Sequence, residues 1–137
     1  MAYPIPTVAA LAVGPSGRVL VVRTAKWQGL WGVPGGKIEY GEAMEAALLR
    51  EFQEEVGLAL IEPRFALLQE MIEDPAFYKP AHFILINYFA RTKEEAVRPN
   101  EEILEWAWVT PKAALDYPLN VYTRRLVEAY REARPYG

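Results

Sequence analysis

The chain has no cysteine and a single histidine, His82. The first absence excludes a disulfide framework and any thiolate metal centre; the second excludes a multi-histidine one. Basic residues are in deficit, with 15 Lys and Arg against 18 Asp and Glu and a net charge of -3. No broad positive field remains for duplex DNA or anionic lipid, so neither a nucleic-acid polymer nor a membrane is expected as a partner. No apolar run approaches the roughly 20 residues that span a bilayer, and the opening MAYPIPT lacks the basic-then-apolar plan of a signal peptide. A cytoplasmic protein is expected. Asn and Gln are scarce, three of each, a compositional hint of a heat-adapted source. Repeats, low-complexity tracts and linkers are also missing, and 137 residues read as one domain, 1–137. A polyanionic small molecule bound by such a chain needs a metal ion or a few well-placed cations.

What is present is ordinary globular material, 52% hydrophobic and 24% charged, patterned into strands and helices. The runs 7–13 and 18–24 are β-branched and separated by Gly-Pro-Ser-Gly, which predicts a hairpin. A Gly- and Pro-punctuated loop over 25–36 is crossed by a short strand near Trp31–Val33. Residues 42–56 contain no Gly or Pro and end at Gly57, predicting a helix with a glycine stop. Strands are expected at 65–73, 82–92 and 104–110, a short helix at 111–117 and an amphipathic one at 121–133. This order predicts an α/β fold, a mixed sheet sandwiched between helices.

The helix over 42–56 is peculiar in its charge. Leu48, Phe52, Val56, Leu49 and Ala46 share one arc, expected to pack on the sheet, with Glu45 an exception on that side. Glu51, Glu54 and Glu55 share the opposing arc. They are not interleaved with lysines as a solubilising face usually is, and like charges at this spacing repel. The Gly35-Gly36 pair returns the backbone toward the same helix. Clustered carboxylates beside a backbone carbonyl form a set of hard oxygen ligands suited to Mg²⁺ or Mn²⁺, and a bound cation removes the repulsion.

Gly36, five residues, Glu42, seven residues, Arg50-Glu51-Phe52, then Glu54-Glu55 and Gly57-Leu58: this resembles the Nudix box, filled at all nine fixed or apolar positions over 23 residues. The resemblance implies the Nudix fold and a Mg²⁺-dependent pyrophosphohydrolase, with Mn²⁺ able to substitute. It implies metal ligation by Glu51 and Glu55, with Glu54 and the Gly36 carbonyl completing the site. Arg50 is then an orienting residue beside the reacting groups, and Glu42 fixes the loop. Relatives differ over which glutamate accepts the proton of the attacking water. Glu51 and Glu54 are the candidates inside the box; Glu102 is the choice outside it, with Glu101 a close rival.

The same resemblance implies a nucleotide substrate, most simply a nucleoside triphosphate as in the MutT-like group. Arg23 and Lys37 are placed like phosphate-binding cations. Asn120 is placed like a base-reading amide, although a helix cap explains it equally well. Trp27, Trp31, Phe77 and Tyr78 are candidates for stacking on a base, with Tyr78 the one carried forward. His82 fits a structural histidine better than a phosphate contact. The alternatives are an ADP-ribose or nucleotide-sugar pyrophosphatase, to which Pro75 is a weak pointer, then a dinucleoside polyphosphate hydrolase, then a non-catalytic nucleotide-sensing domain. Many relatives dimerise, which leaves a homodimer open.

Overall fold

Alternation along the first strand sets the layers. In β1 (Ile5–Val13) Val8, Ala10 and Ala12 point to one side, whereas Leu11 and Val13 point to the other; all are buried. The computed structural model describes residues 2–137. Among them, β1, β2 (Val19–Arg23), β3 (Trp31–Gly32), β4 (Gly35–Lys37), β5 (Leu60–Ile72), β6 (His82–Thr92) and β7 (Glu105–Val109) form one mixed sheet. The path runs β3-β2-β1-β6-β5, with β4 paired to β1 and β7 to β2. β1 and β6 are parallel; the other pairings between named strands are antiparallel.

The helix α1 (Met44–Val56) lays Ala47, Leu48, Phe52 and Val56 on the face that carries Val8, Ala10, Leu20 and Tyr88. On the opposite face, α3 (Val121–Ala133) and the short α2 (Pro111–Ala114) cover Leu11, Val19, Val21 and Phe89 through Leu126, Val127 and Ala114. The expected sandwich of a mixed sheet between helices is therefore present. Gly57 ends α1 in the left-handed conformation, φ 67, and its N–H donates to the Gln53 carbonyl.

Four local expectations are corrected. α1 starts at Met44 rather than Glu42, and its buried face is rotated: Leu49 is 41% exposed and Ala46 is also exposed, whereas Ala47 and Glu55 are buried. The strand expected at 65–73 begins at Leu60, running through Glu62 at φ 52 and an irregular register before Arg64. That irregularity is a bulge, and its polar residues conceal the strand in the sequence. The helix expected at 111–117 ends at Ala114. Gly35 and Gly36, expected in the Gly- and Pro-punctuated loop over 25–36, instead open β4, a strand only through pairing with Thr7, Val8 and Ala9 of β1.

A parallel bridge between Trp31 and Leu119 positions the segment before α3. Trp31 N–H donates to the Pro118 carbonyl at 2.8 Å, and Asn120 N–H to the Trp31 carbonyl at 2.9 Å. These bonds set Asn120 beside Gly32.

Candidate active site

Close approach explains the two glycines. A side-chain carbon on Gly36 would fall on the Glu51 carboxylate, and one on Gly35 on the Val8 carbonyl and Ala9. Only glycine lets β4 lie between β1 and α1 in this way.

Arg50 ties this loop to the helix. Its Nε and Nη2 donate to the two oxygens of Glu42 at 2.7 and 2.9 Å, a bidentate fork. Nη2 also donates to the Lys37 carbonyl at 3.1 Å, and Nη1 to Glu51 at 2.9 Å and to Glu54 at 3.4 Å. The Arg50 guanidinium, with the Glu39 backbone N–H, holds the Glu42 carboxyl down at about 2. Reciprocally, the Glu42 and Glu51 carboxylates hold Arg50 firmly protonated.

Three acidic residues of α1 then differ in environment. Glu54 is exposed on its side chain, and Glu51 is mostly covered. Glu55 is 5% exposed. Burial pushes its carboxyl up to about 9, helped by a hydrogen bond and charge from Glu51 and by the charge of Glu102. Among the described residues, no three acidic side chains converge into a ready-made cage. Mg²⁺ does not require one, since it commonly uses one or two carboxylates, waters and substrate oxygens. The adjoining Glu51 and Glu55 carboxylates, the first against Gly36 and held by Arg50, the second buried with only the charge of Lys26 to offset its neighbours, fit such an ion.

A cleft of about 720 Å³ opens over this cluster. It brings together Gly36, Lys37, Arg50, Glu51, Glu54 and Glu55 with Glu101, Glu102 and Asn120. Trp27 and Phe77 line it too, ring centroids 4.9 Å apart in an edge-on pair. Arg23 stands elsewhere: its Nε donates to Glu105 at 2.6 Å, across the β2–β7 pair, away from the cleft lining. Tyr78 is 51% exposed and packs against Phe77 under Lys79 instead of lining the cleft. Trp31 packs edge-on to Tyr117. His82 is outside the lining, and its Nε2 is sealed without a hydrogen-bond partner.

Several other lining residues carry little mark in the sequence. Lys26 points to Glu102 at 3.6 Å; nothing in its flanking sequence distinguishes it from a surface lysine. Asn87 and Thr123 are buried polar residues within apolar periods. A lone amide in the run Phe83–Ala90 was the available signal for Asn87.

Comparison with known proteins agrees with this geometry. The family model of the NUDIX domain matches residues 4–130. The nucleoside triphosphatase NudI of Escherichia coli (strain K12) is 33% identical over 103 residues, covering 71% of this chain and 73% of NudI. A MutT protein from Methanosarcina mazei Go1 superposes with a TM-score of 0.81 at 25% identity, covering 98% of each chain. A MutT NUDIX hydrolase from Burkholderia pseudomallei gives a TM-score of 0.77 at 30% identity, covering 93% of this chain and 98% of its own. Matched along most of its length and by relatives of the same architecture, the chain belongs to the Nudix family, as a hydrolase of phosphoanhydride bonds in a family that generally uses divalent metal ions.

Proposed function

We propose that this enzyme is a MutT-like nucleoside triphosphate pyrophosphohydrolase, dependent on Mg²⁺ or Mn²⁺. The observation that carries the reading is one cleft holding both the Glu51–Glu55 pair and the Asn120 amide. One side suits a cation-bound polyphosphate, and the other offers a buried amide to a base. The relatives named nucleoside triphosphatase and MutT point the same way.

A divalent cation, when bound, neutralises the polyphosphate and acidifies the attacking water. Glu51, Glu55 and the Gly36 carbonyl would hold it, with Glu54 at the margin. The chain's own part is positional. Arg50 fixes Glu51 against the loop, and Lys37 and Lys26 face the cleft as cations for phosphate oxygens. Water attacks a phosphorus: one P–O bond forms, the bridging P–O bond breaks, and nucleoside monophosphate and pyrophosphate leave. The proton of that water passes to Glu54 or Glu102, cleft carboxylates that Arg50 holds only loosely or not at all.

Incubation with nucleoside triphosphates, ADP-ribose, GDP-mannose and a dinucleoside tetraphosphate, each with Mg²⁺ or Mn²⁺, separates the readings. Triphosphates are expected to give monophosphate and pyrophosphate with the highest kcat/KM. Turnover confined to ADP-ribose or the nucleotide sugar overturns the MutT-like reading. Tight binding with no turnover identifies a sensor.

A further inference from the structure

Behind the cleft wall, three polar side chains form a relay whose orientation is fixed at each step. Gln69 is 7% exposed and sits outside the cleft lining. Its Nε2 donates to the Tyr122 backbone carbonyl at 2.9 Å, an atom that only accepts. Its Oε1 accepts from Arg125 Nη1 at 3.4 Å, a group that only donates. The two anchors leave Gln69 a single orientation. The second hydrogen on Nε2 goes to Asn87 Oδ1 at 2.9 Å. Asn87, 5% exposed and lining the cleft, is thereby turned with its oxygen inward to the protein. Its Nδ2 has no protein partner among the described residues, yet is not among the sealed atoms; it opens on the cleft.

Asn120 arrives at the same polarity by another route. Its Oδ1 accepts from Thr123 N–H at 2.8 Å, capping α3. Its Nδ2 is left over, and the missing side chain of Gly32 makes room for it: a carbon there would lie 2.9 Å away. Thus two buried carboxamides present NH₂ groups to the cleft, and neither can flip without stranding a buried donor. Of the cleft-lining hydroxyls, Thr7 donates to the Ile84 carbonyl and Tyr122 to Asp74, whereas Thr123 beside Asn120 can donate or accept and sets no polarity.

We propose that Asn87, locked by Gln69, is a specificity-determining residue: beside Asn120, the amide that the family resemblance already implies, it adds a second outward donor and so favours bases that present a carbonyl. This rests on the reading of the cleft as a nucleotide site and narrows the substrate class to keto bases. The distal edges of guanine and thymine offer O6 with N7, or O4; adenine and cytosine place an NH₂ donor at the same position. Donor against donor leaves two groups unpaired, which is the strong form of rejection.

Binding of nucleoside monophosphates tests this independently of turnover. By titration calorimetry on the wild-type chain, IMP is expected to bind at least about tenfold tighter than AMP, and UMP than CMP. Gln69→Met keeps the volume but frees Asn87 to rotate; both ratios should fall to within about twofold, through KM rather than kcat when triphosphates are turned over. Should that variant not fold, Asn87→Asp keeps the acceptor for Gln69 and replaces the outward donor, and the preference should invert. Equal binding within the pairs, a preference for AMP and CMP, no binding of any monophosphate, or unchanged ratios in Gln69→Met overturns the inference. If the ratios hold but triphosphates are not hydrolysed, the MutT-like reading fails and the amide wall stands.

Discussion

Glu55→Gln is expected to lower kcat by about 10³-fold, the scale of losing one preorganised electrostatic group, while leaving the fold intact. The two expectations have one cause. Glu55 is an almost fully covered carboxyl beside Glu51, with burial its largest perturbation. Such a group is unfavourable in the cation-free protein, and Gln removes its charge at nearly constant shape. The sign follows from its protonation. A carboxyl raised from 4.5 to about 9 by folding keeps a proton that the unfolded chain has lost. Its contribution to stability is therefore intact below 4.5, declines as pH rises, and is fully unfavourable above about 9. Measured without divalent ions, the wild type should lose melting temperature over that window, and Glu55→Gln should show a shallower loss. Added Mg²⁺ should raise the melting temperature of the wild type only. A variant hydrolysing at the wild-type rate would sink the assignment of Glu55 to the cation.

Arg50→Ala should cost activity and stability together. The guanidinium is the one cation in contact with Glu42, Glu51 and Glu54 among the described residues, and it also satisfies the Lys37 carbonyl. Removing it frees the loop from the helix and leaves the carboxylates to repel one another. A loss of about 10²-fold in kcat/KM is expected, typical of groups that orient ligands without ligating. The stability cost should be roughly 1–2 kcal/mol, between the exposed and buried limits for ion pairs. Arg50→Lys should recover little, because an ammonium cannot make the bidentate fork to Glu42 while reaching Glu51. Full recovery by lysine would show that charge alone suffices. Denaturant titration then separates the two variants, since Arg50→Ala shifts the midpoint downward and Glu55→Gln does not.

The parts of this molecule that were legible in the sequence are those written locally. α1, its Gly57 stop and the spacing of its glutamates depend on residues within a few turns of one another. β6 and α3 are long and strongly patterned, and both match their expected bounds. What stayed hidden depends on partners far along the chain. Gly35–Lys37 is a strand because β1 lies beside it. Arg23 ended a strand like a phosphate ligand, but β7 delivers Glu105 to it from 82 residues away. Leu49 shares the apolar arc yet is exposed, because periodicity locates an arc but not the edge of the sheet beneath it. The Gln69–Asn87 relay joins two strands and a helix, and no window of sequence contains all three.

The parallel neighbour of β1 has a consequence for how the protein is made. Thr7 reaches the Ile84 carbonyl across 77 residues, so the central strand leaves the ribosome long before its flank exists. At about 5–20 residues per second, a nascent chain waits roughly 4–15 s with that edge and its valines unpaired. Until β6 docks, the sheet floor under the glutamates is incomplete as well. Substitutions that delay docking would then surface as aggregation during synthesis, even where the finished enzyme melts no earlier.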